Sequence, residues 1–198
     1  LNQYDNAING IFVDSNNNTY LSDYGNRRIV KWAPGATEGV VVAGGNGQGS
    51  ATNQFSMPTG LFVDADFNLF VMDEGNERIT KWAPGASEGI IVAGGNGTGD
   101  DLNQFNGPQS FTMDNNGAFY ISDTWNSRIL KWEADADEGS VVAGGNGAGS
   151  ALNQLKWPTD VQVDENGDLF IADLYHLGNK SSRIVKWEIG ASQGQDCG

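Results

Sequence analysis

"GLFVDADFNLFVMDEGNERITKWAPGASEGIIVAGGNG", residues 60–97, decides the fold, because the chain repeats it. It aligns without a gap to "GIFVDSNNNTYLSDYGNRRIVKWAPGATEGVVVAGGNG" (10–47), and the same frame fits 110–147. A fourth copy starts at Asp160 and carries five extra residues, so Trp187 lies 55 rather than 50 positions after Trp132. A repeat of this length is one supersecondary unit that buries its apolar surface by stacking on its neighbours. Within the unit, "GLFV", "LFVMD", "RITKWA" and "GIIVAG" are short β-branched and aromatic runs bounded by Gly, Asn, Asp or Pro. They predict four strands. No stretch has helical length or period. Four strands at a period of about 50 residues predict an all-β propeller segment with blades at approximately 1–50, 51–100, 101–150 and 151–198.

The connection between repeats is rich in glycine: "VVAGGNGQGS" (41–50), "IVAGGNGTGD" (91–100) and "VVAGGNGAGS" (141–150). A glycine loop cradles phosphate when it leads from a strand into a helix, whose N-terminal N–H groups face the anion. Here "ATNQFSMPTG", "DLNQFNGPQS" and "ALNQLKWPTD" follow, each short, polar and interrupted by proline. The motif also recurs with the architecture, whereas a nucleotide site occurs once. It reads as a turn.

Charge narrows the function classes. The 198 residues hold 25 acidic and 11 basic side chains, a net charge of −14. Eight of the basic residues sit at two repeated positions: Arg28, Arg78, Arg128 and Arg183, and Lys31, Lys81, Lys131 and Lys186. Nucleic-acid binding needs clustered Lys and Arg to neutralise phosphates, and no cluster can be assembled. No run approaches the ~18 apolar residues of a membrane-spanning helix, so membrane insertion is not expected either.

The segment "VDADFNLFVMDEGNERITKW" (63–82), with its counterparts in the other three repeats, resembles the NHL-repeat family across essentially the whole chain. The resemblance implies four-stranded antiparallel blades, with the connections into each first strand and the second-to-third turns on one face. Fold alone does not fix function, and such propellers host enzymes, RNA binders and adhesive modules. The amidating lyases that resemble this repeat hold a metal with several histidines, and this chain has one. Calcium-dependent lactonases of propeller type place carboxylates around the axis. The equivalent positions here read Asn9-Gly10, Thr59-Gly60, Gln109-Ser110 and Thr159-Asp160, with Asp160 the sole acid. The expectation is therefore no catalytic residue, no metal ligand and no cofactor.

Repetition separates architecture from function. Asp23, Asp73 and Asp123 each precede an Arg by five residues, with Asn26, Asn76 or Asn126 between. Across a tight turn such a pair can be bidentate, and the asparagine suits a left-handed position. Trp32, Trp82, Trp132 and Trp187 fill the wedge between stacked blades. The starts of "DSNNN" (14–18), "DADFN" (64–68), "DNNGA" (114–118) and "DENGD" (164–168) resemble a calcium loop, but the closing acidic ligand is missing and an Asx turn suffices. The unrepeated residues are the candidate contacts. Trp125 replaces Gly25 and Gly75 in a turn, Trp157 replaces Met57, and Tyr175 and the lone His176 lie in the fourth-repeat insertion "LYHLGNKSS" (174–182).

Three sequons, at Asn17, Asn96 and Asn179, fall in turns or loops and are candidate glycosylation sites. Together with the style of the NHL resemblance, they point to a secreted, extracellular protein. At the ends the repeat is broken: "LNQY" opens inside a connection, and "GASQGQDCG" stops before the run that would form the last outer strand. Blade four is therefore expected to lack its outer strand. Six blades are common in the resembling propellers, so further blades or further copies of the chain are expected in preference to a closed four-bladed ring. Cys197 is then a candidate for an interchain disulfide. The expected function is a non-enzymatic binding or scaffold module, assembling with itself or neighbouring blades as an oligomer or filament and taking a protein or carbohydrate ligand. The alternative is a fragment of an NHL-type lyase or lactonase whose catalytic residues lie elsewhere.

Overall fold

The computed structural model describes residues 8–174 and 182–197, and among them contains sixteen strands and no α-helix. Blade one is β1 (Ile8–Val13), β2 (Thr19–Asp23), β3 (Arg28–Trp32) and β4 (Val40–Gly44); blade two is β5 (Pro58–Val63), β6 (Leu69–Asp73), β7 (Arg78–Trp82) and β8 (Ile90–Gly94). Blade three is β9 (Pro108–Met113), β10 (Phe119–Asp123), β11 (Arg128–Trp132) and β12 (Ser140–Gly144). Blade four is β13 (Trp157–Val163), β14 (Leu169–Leu174), β15 (Arg183–Trp187) and β16 (Gln195–Asp196). Every sheet is antiparallel and follows chain order. The chain divides into two compact units, Leu1–Gly95 and Asn96–Gly198, each holding two blades.

Two expectations need adjusting. The first strand of a blade begins earlier than "GLFV": β5 starts at Pro58, opposite Asp73, and a register shift before Leu61 absorbs the offset. Blade four does not lack its outer strand. Gln195 pairs with Lys186 and Asp196 with Val185, the register in which Ser140 pairs with Lys131 and Val141 with Leu130. Ladder pairing uses backbone groups, so two polar residues hold that register where blades one and two use valine or isoleucine and blade three uses serine and valine. The strand is shorter than its counterparts, not absent.

Alternation along each strand sends one set of side chains to each sheet face. In the first unit Tyr20, Ile29 and Ala43 of blade one join Phe55, Leu61, Val63, Leu69, Val71 and Trp82 in a single buried cluster. The second unit repeats eight of the nine positions, Tyr120, Ile129 and Ala143 of blade three with Leu155, Val161, Leu169, Ile171 and Trp187, and adds Val185, whose counterpart in blade two is Thr80. Each fully buried aliphatic or aromatic side chain contributes about 1.5–3 kcal/mol. Trp82 and Trp187 fill the wedge as the sequence predicts, and the Trp82 ring lies 5.5 Å from that of Phe55.

The opposite faces of blades one and four are different. Ile11 is 67% exposed, although its counterpart Leu61 is 8% exposed in blade two. Val13 is exposed too, and Trp32 only half-buried, while Val63 and Trp82 are buried. On blade four, Ile184 is 45% exposed where Ile29 of blade one is fully buried, and Phe170 is exposed where Tyr20 is buried. Both surfaces carry the side-chain pattern of a blade-stacking face without a blade on them.

Candidate functional site

The repeated Asp–Asn–Arg set shapes the face that carries the connections. Asp173 Oδ1 accepts the N–H groups of Lys156 (2.8 Å) and Trp157 (3.0 Å), tying the end of β14 to the start of β13. Asp73 does the same for Ser56 and Met57. The Arg partner is not bidentate in blades two and three. Arg128 donates from Nε to Asp123 Oδ2 at 2.7 Å, and its two Nη groups instead donate to the carbonyls of Asp100, Asp101 and Gln104. The connection between blades supplies three acceptors at the reach of the fork, and a guanidinium has donors for all of them. Asparagine is not the left-handed residue of the turn either. That position is taken by Arg27, Glu77 and Ser127, one residue later, and each asparagine donates to the preceding Asp, as Asn126 does to Asp123 Oδ2 at 2.8 Å. Burial pushes the Asp123 carboxyl above its ordinary range, against the pull of Asn126, the Asn106 N–H and Arg128.

The glycine connections close on themselves. Asn146 Nδ2 donates to Asn153 O and Gln154 Nε2 to Asn146 O, both at 2.9 Å, and 46–54 and 96–104 repeat the pair. Gly45 and Gly47 sit at φ +81, a region other residues enter only at a cost.

On this scaffold the two unrepeated tryptophans meet. Trp125 lies in a 3₁₀ turn, Thr124–Asn126, and Trp157 begins β13; their ring centroids are 5.6 Å apart at 68°, an edge-to-face pair. Aromatic pairs favour this geometry because ring edges are positive and faces negative. Three hydrogen bonds fix the turn on its neighbours. Thr124 Oγ1 donates to Pro158 O (2.7 Å), Ser127 Oγ to Lys156 O (2.8 Å) and the Trp125 N–H to Asn106 O (3.1 Å). Trp125 is nevertheless 60% exposed. Lys156 Nζ lies 5.8 Å from the Trp157 ring centroid, within cation–π range. The result is a rigid aromatic ledge with one cation beside it.

Sequence reasoning found both tryptophans and missed what seats them. In blade two, Gly75 leaves room for Ser56 and Met57; in blade three, Trp125 stands at the glycine position and Gly107 at the methionine position. A Cβ on Gly107 would fall 2.1 Å from the indole. The signal was present as "SMP", "NGP" and "KWP" (56–58, 106–108, 156–158), a reciprocal exchange of large and small. Lys156 is legible in the same triplet.

The remaining candidates within the described residues are dispersed. Tyr175, His176 and Asn179 lie outside the described residues. Asn17 is exposed at a turn with φ +61. Asn96 is exposed, but its Nδ2 already donates to Asn103 O at 3.0 Å. Cys197 is exposed beyond β16, its N–H bound to Ile184 O at 2.8 Å. Asp160 Oδ1 accepts the hydroxyl of Ser110 at 2.7 Å. The D-x-[DN] segments are Asx turns: Asp64 Oδ1 accepts the N–H groups of Asp66 and Asn68, and Asp14, Asp114 and Asp164 do likewise. Among the described residues no three His, Cys, Asp or Glu side chains cluster as metal ligands.

Residues 105–132 match the family model of the NHL repeat. The same pattern recurs in all four blades, so the chain is an NHL-repeat β-propeller chain. In fold it is similar to a gluconolactonase from Xanthomonas campestris, with TM-score 0.68 and 16% identity over 98% of this chain and 62% of that one. It is also similar to a streptogramin B lyase, with TM-score 0.63 and 14% identity over 99% and 56%. A protein of unknown function from Bacteroides thetaiotaomicron gives TM-score 0.66 and 23% identity over 84% and 44%. The chain thus spans about half the length of these structures. At such identities the likeness is one of fold. No curated protein matches the sequence.

Proposed function

We propose that this chain is a non-enzymatic, extracellular binding and scaffold module. The outer faces of blades one and four take up further blades of the same kind, from the same polypeptide or another copy, and the Trp125–Trp157 ledge contacts a protein or carbohydrate ligand. The carrying observation is the contrast in burial at equivalent positions: Ile11 against Leu61, and Ile184 against Ile29. Exposed apolar faces patterned like covered ones mark interaction surfaces. The two faces carry the two complementary halves of one blade junction, which suits a head-to-tail contact. Light scattering on the 198-residue chain tests this. Association that grows with concentration is expected; a well-folded 21.1 kDa monomer at all concentrations would sink the reading.

A second reading is favoured by the fold likeness to a lactonase and a lyase: the chain as part of a propeller enzyme. Lactone hydrolysis or lyase turnover by the chain, or by a longer form containing it, would establish that reading in place of the first.

A further inference from the structure

The second unit has a cavity of about 300 Å³ between its blades, lined by Tyr120, Lys131, Val142, Leu169, Trp187 and Ile189, with Gly167 in its wall. The first unit shows what such a space holds. Eight buried positions of its cluster recur in that of the second unit, and of the side chains packed against them Phe12 and Phe67 belong to the first unit alone and Ala191 to the second alone. Phe67 and Gly167 occupy the same place in the same turn. Each N–H donates at 3.0 Å to the carbonyl of the Asp three residues earlier, and both have positive φ, +62 and +87. Left-handed backbone is costly for a bulky residue, so blade two adopts it with a phenyl ring that fills the wedge. Blade four has glycine there and no ring; the Ile189 side chain approaches instead, its Cδ1 3.1 Å from where a Cβ on Gly167 would stand, and that flexible tip must swing aside for a ring to enter.

We infer that this cavity is a binding site for a small neutral aromatic compound, whose ring takes the place that the Phe67 side chain takes in the first unit. The lining suits that chemistry. It is apolar on the Val142, Leu169 and Ile189 sides and aromatic at Tyr120 and Trp187, and apolar cavities of about 150 Å³ already admit benzene. Lys131 and Glu188 both reach the lining; Lys131 Nζ is held by Glu133 at 2.6 Å. Opposite charges in the lining favour neither an anionic nor a cationic ligand, and a phenolic hydroxyl satisfies either. This site is separate from the tryptophan ledge and from the uncovered blade faces.

The probe is p-cresol, titrated by calorimetry and followed by NMR with methyl-labelled protein. Saturable binding at one site per chain is expected, with contacts from the ring to the methyl groups of Val142, Leu169 and Ile189. Gly167→Phe restores the missing ring and should weaken binding at least about tenfold. Phe67→Gly opens the equivalent space in the first unit and should raise the stoichiometry from one to two. No saturable binding, contacts to other methyl groups, or undiminished binding by folded Gly167→Phe each overturn the inference. The methyl contacts are read on the unaltered chain, so they decide the matter even where a variant fails to fold.

Discussion

A buried guanidinium that serves four acceptors is a demanding residue to replace. Arg128 is almost fully buried, as is Asp123, and its fork reaches one carboxylate and three carbonyls. Lysine offers a point charge on a flexible stem and cannot span those acceptors. Removing one partner of a buried pair typically costs 3–5 kcal/mol, because the other charge is left uncompensated. Arg128→Ala should therefore lose about 3–5 kcal/mol in urea denaturation, and Arg128→Lys should recover only part of it. A loss below about 1 kcal/mol, the range of an exposed pair, would show that the clamp is ornamental. Trp125 is the converse case. It is exposed and seated on Gly107, so Trp125→Ala should leave the urea midpoint nearly unchanged while weakening whatever the ledge binds. A glycan array and peptide panel, read with both proteins, would check it: equal binding by the variant removes the ledge from the function.

At the scale of the element, the turns explain both what holds the blades and what does not need a metal. Each D-x-[DN] carboxylate is already an acceptor for two backbone N–H groups of its own turn. Chelation with EDTA should leave the melting temperature in place, whereas loss of a structural ion would cost several kcal/mol and lower it by roughly ten degrees. Blade four adds a titratable brace. Lys186 Nζ bonds Asp168 Oδ2 at 2.8 Å, and together with the Ile189 N–H it holds that carboxyl below its usual 3.8. A depressed native value means that the unfolded chain binds the proton first, so stability is full above about pH 4 and falls as the pH drops through the native value. Asp168→Asn should flatten that acid limb, and melting curves between about pH 5 and 2 would show it. An unchanged limb would mean the brace contributes nothing measurable.

These same elements show what a sequence can disclose. The strands were legible because alternation and flanking Gly, Asn and Pro are local, and four copies vote on each position. The partners of Arg128 were not, because Asp100 and Gln104 are brought to it by the connection rather than by spacing. The left-handed residue was misplaced by one because the asparagine prefers to donate to its own aspartate. Trp125 and Trp157 stood out as breaks in the repeat, but their meeting at 5.6 Å depends on the stacking of blade three on blade four. The cavity was least visible of all, because it lies between the side chains of two blades, Tyr120 and Val142 on one and Leu169 and Trp187 on the other, which no spacing in the sequence brings together.

For the whole molecule, the question is what covers the apolar faces of blades one and four. Ile11 and Val13 project from β1 with the spacing of Leu61 and Val63, which are buried in the first unit. Ile184 and Phe170 stand where the buried Ile29 and Tyr20 stand in blade one. A repeat protein is stabilised largely by its nearest-neighbour interfaces, and each uncovered interface forgoes that contribution. Contact between the two faces of different copies is heterologous, so it closes into a ring if the rotation allows and otherwise grows into a filament. The double variant Ile11→Lys/Val13→Lys separates stacking from unspecific stickiness. Both positions are exposed, and surface substitutions usually change stability by no more than about 0.5 kcal/mol, so the fold should survive. Two ammonium groups on the stacking face would have to be desolvated for another blade to dock, which opposes association strongly. The variant should therefore run as a monomer under conditions in which the parent chain associates. Should the parent associate and the variant associate equally, the contact lies elsewhere and blade stacking is not what joins the copies.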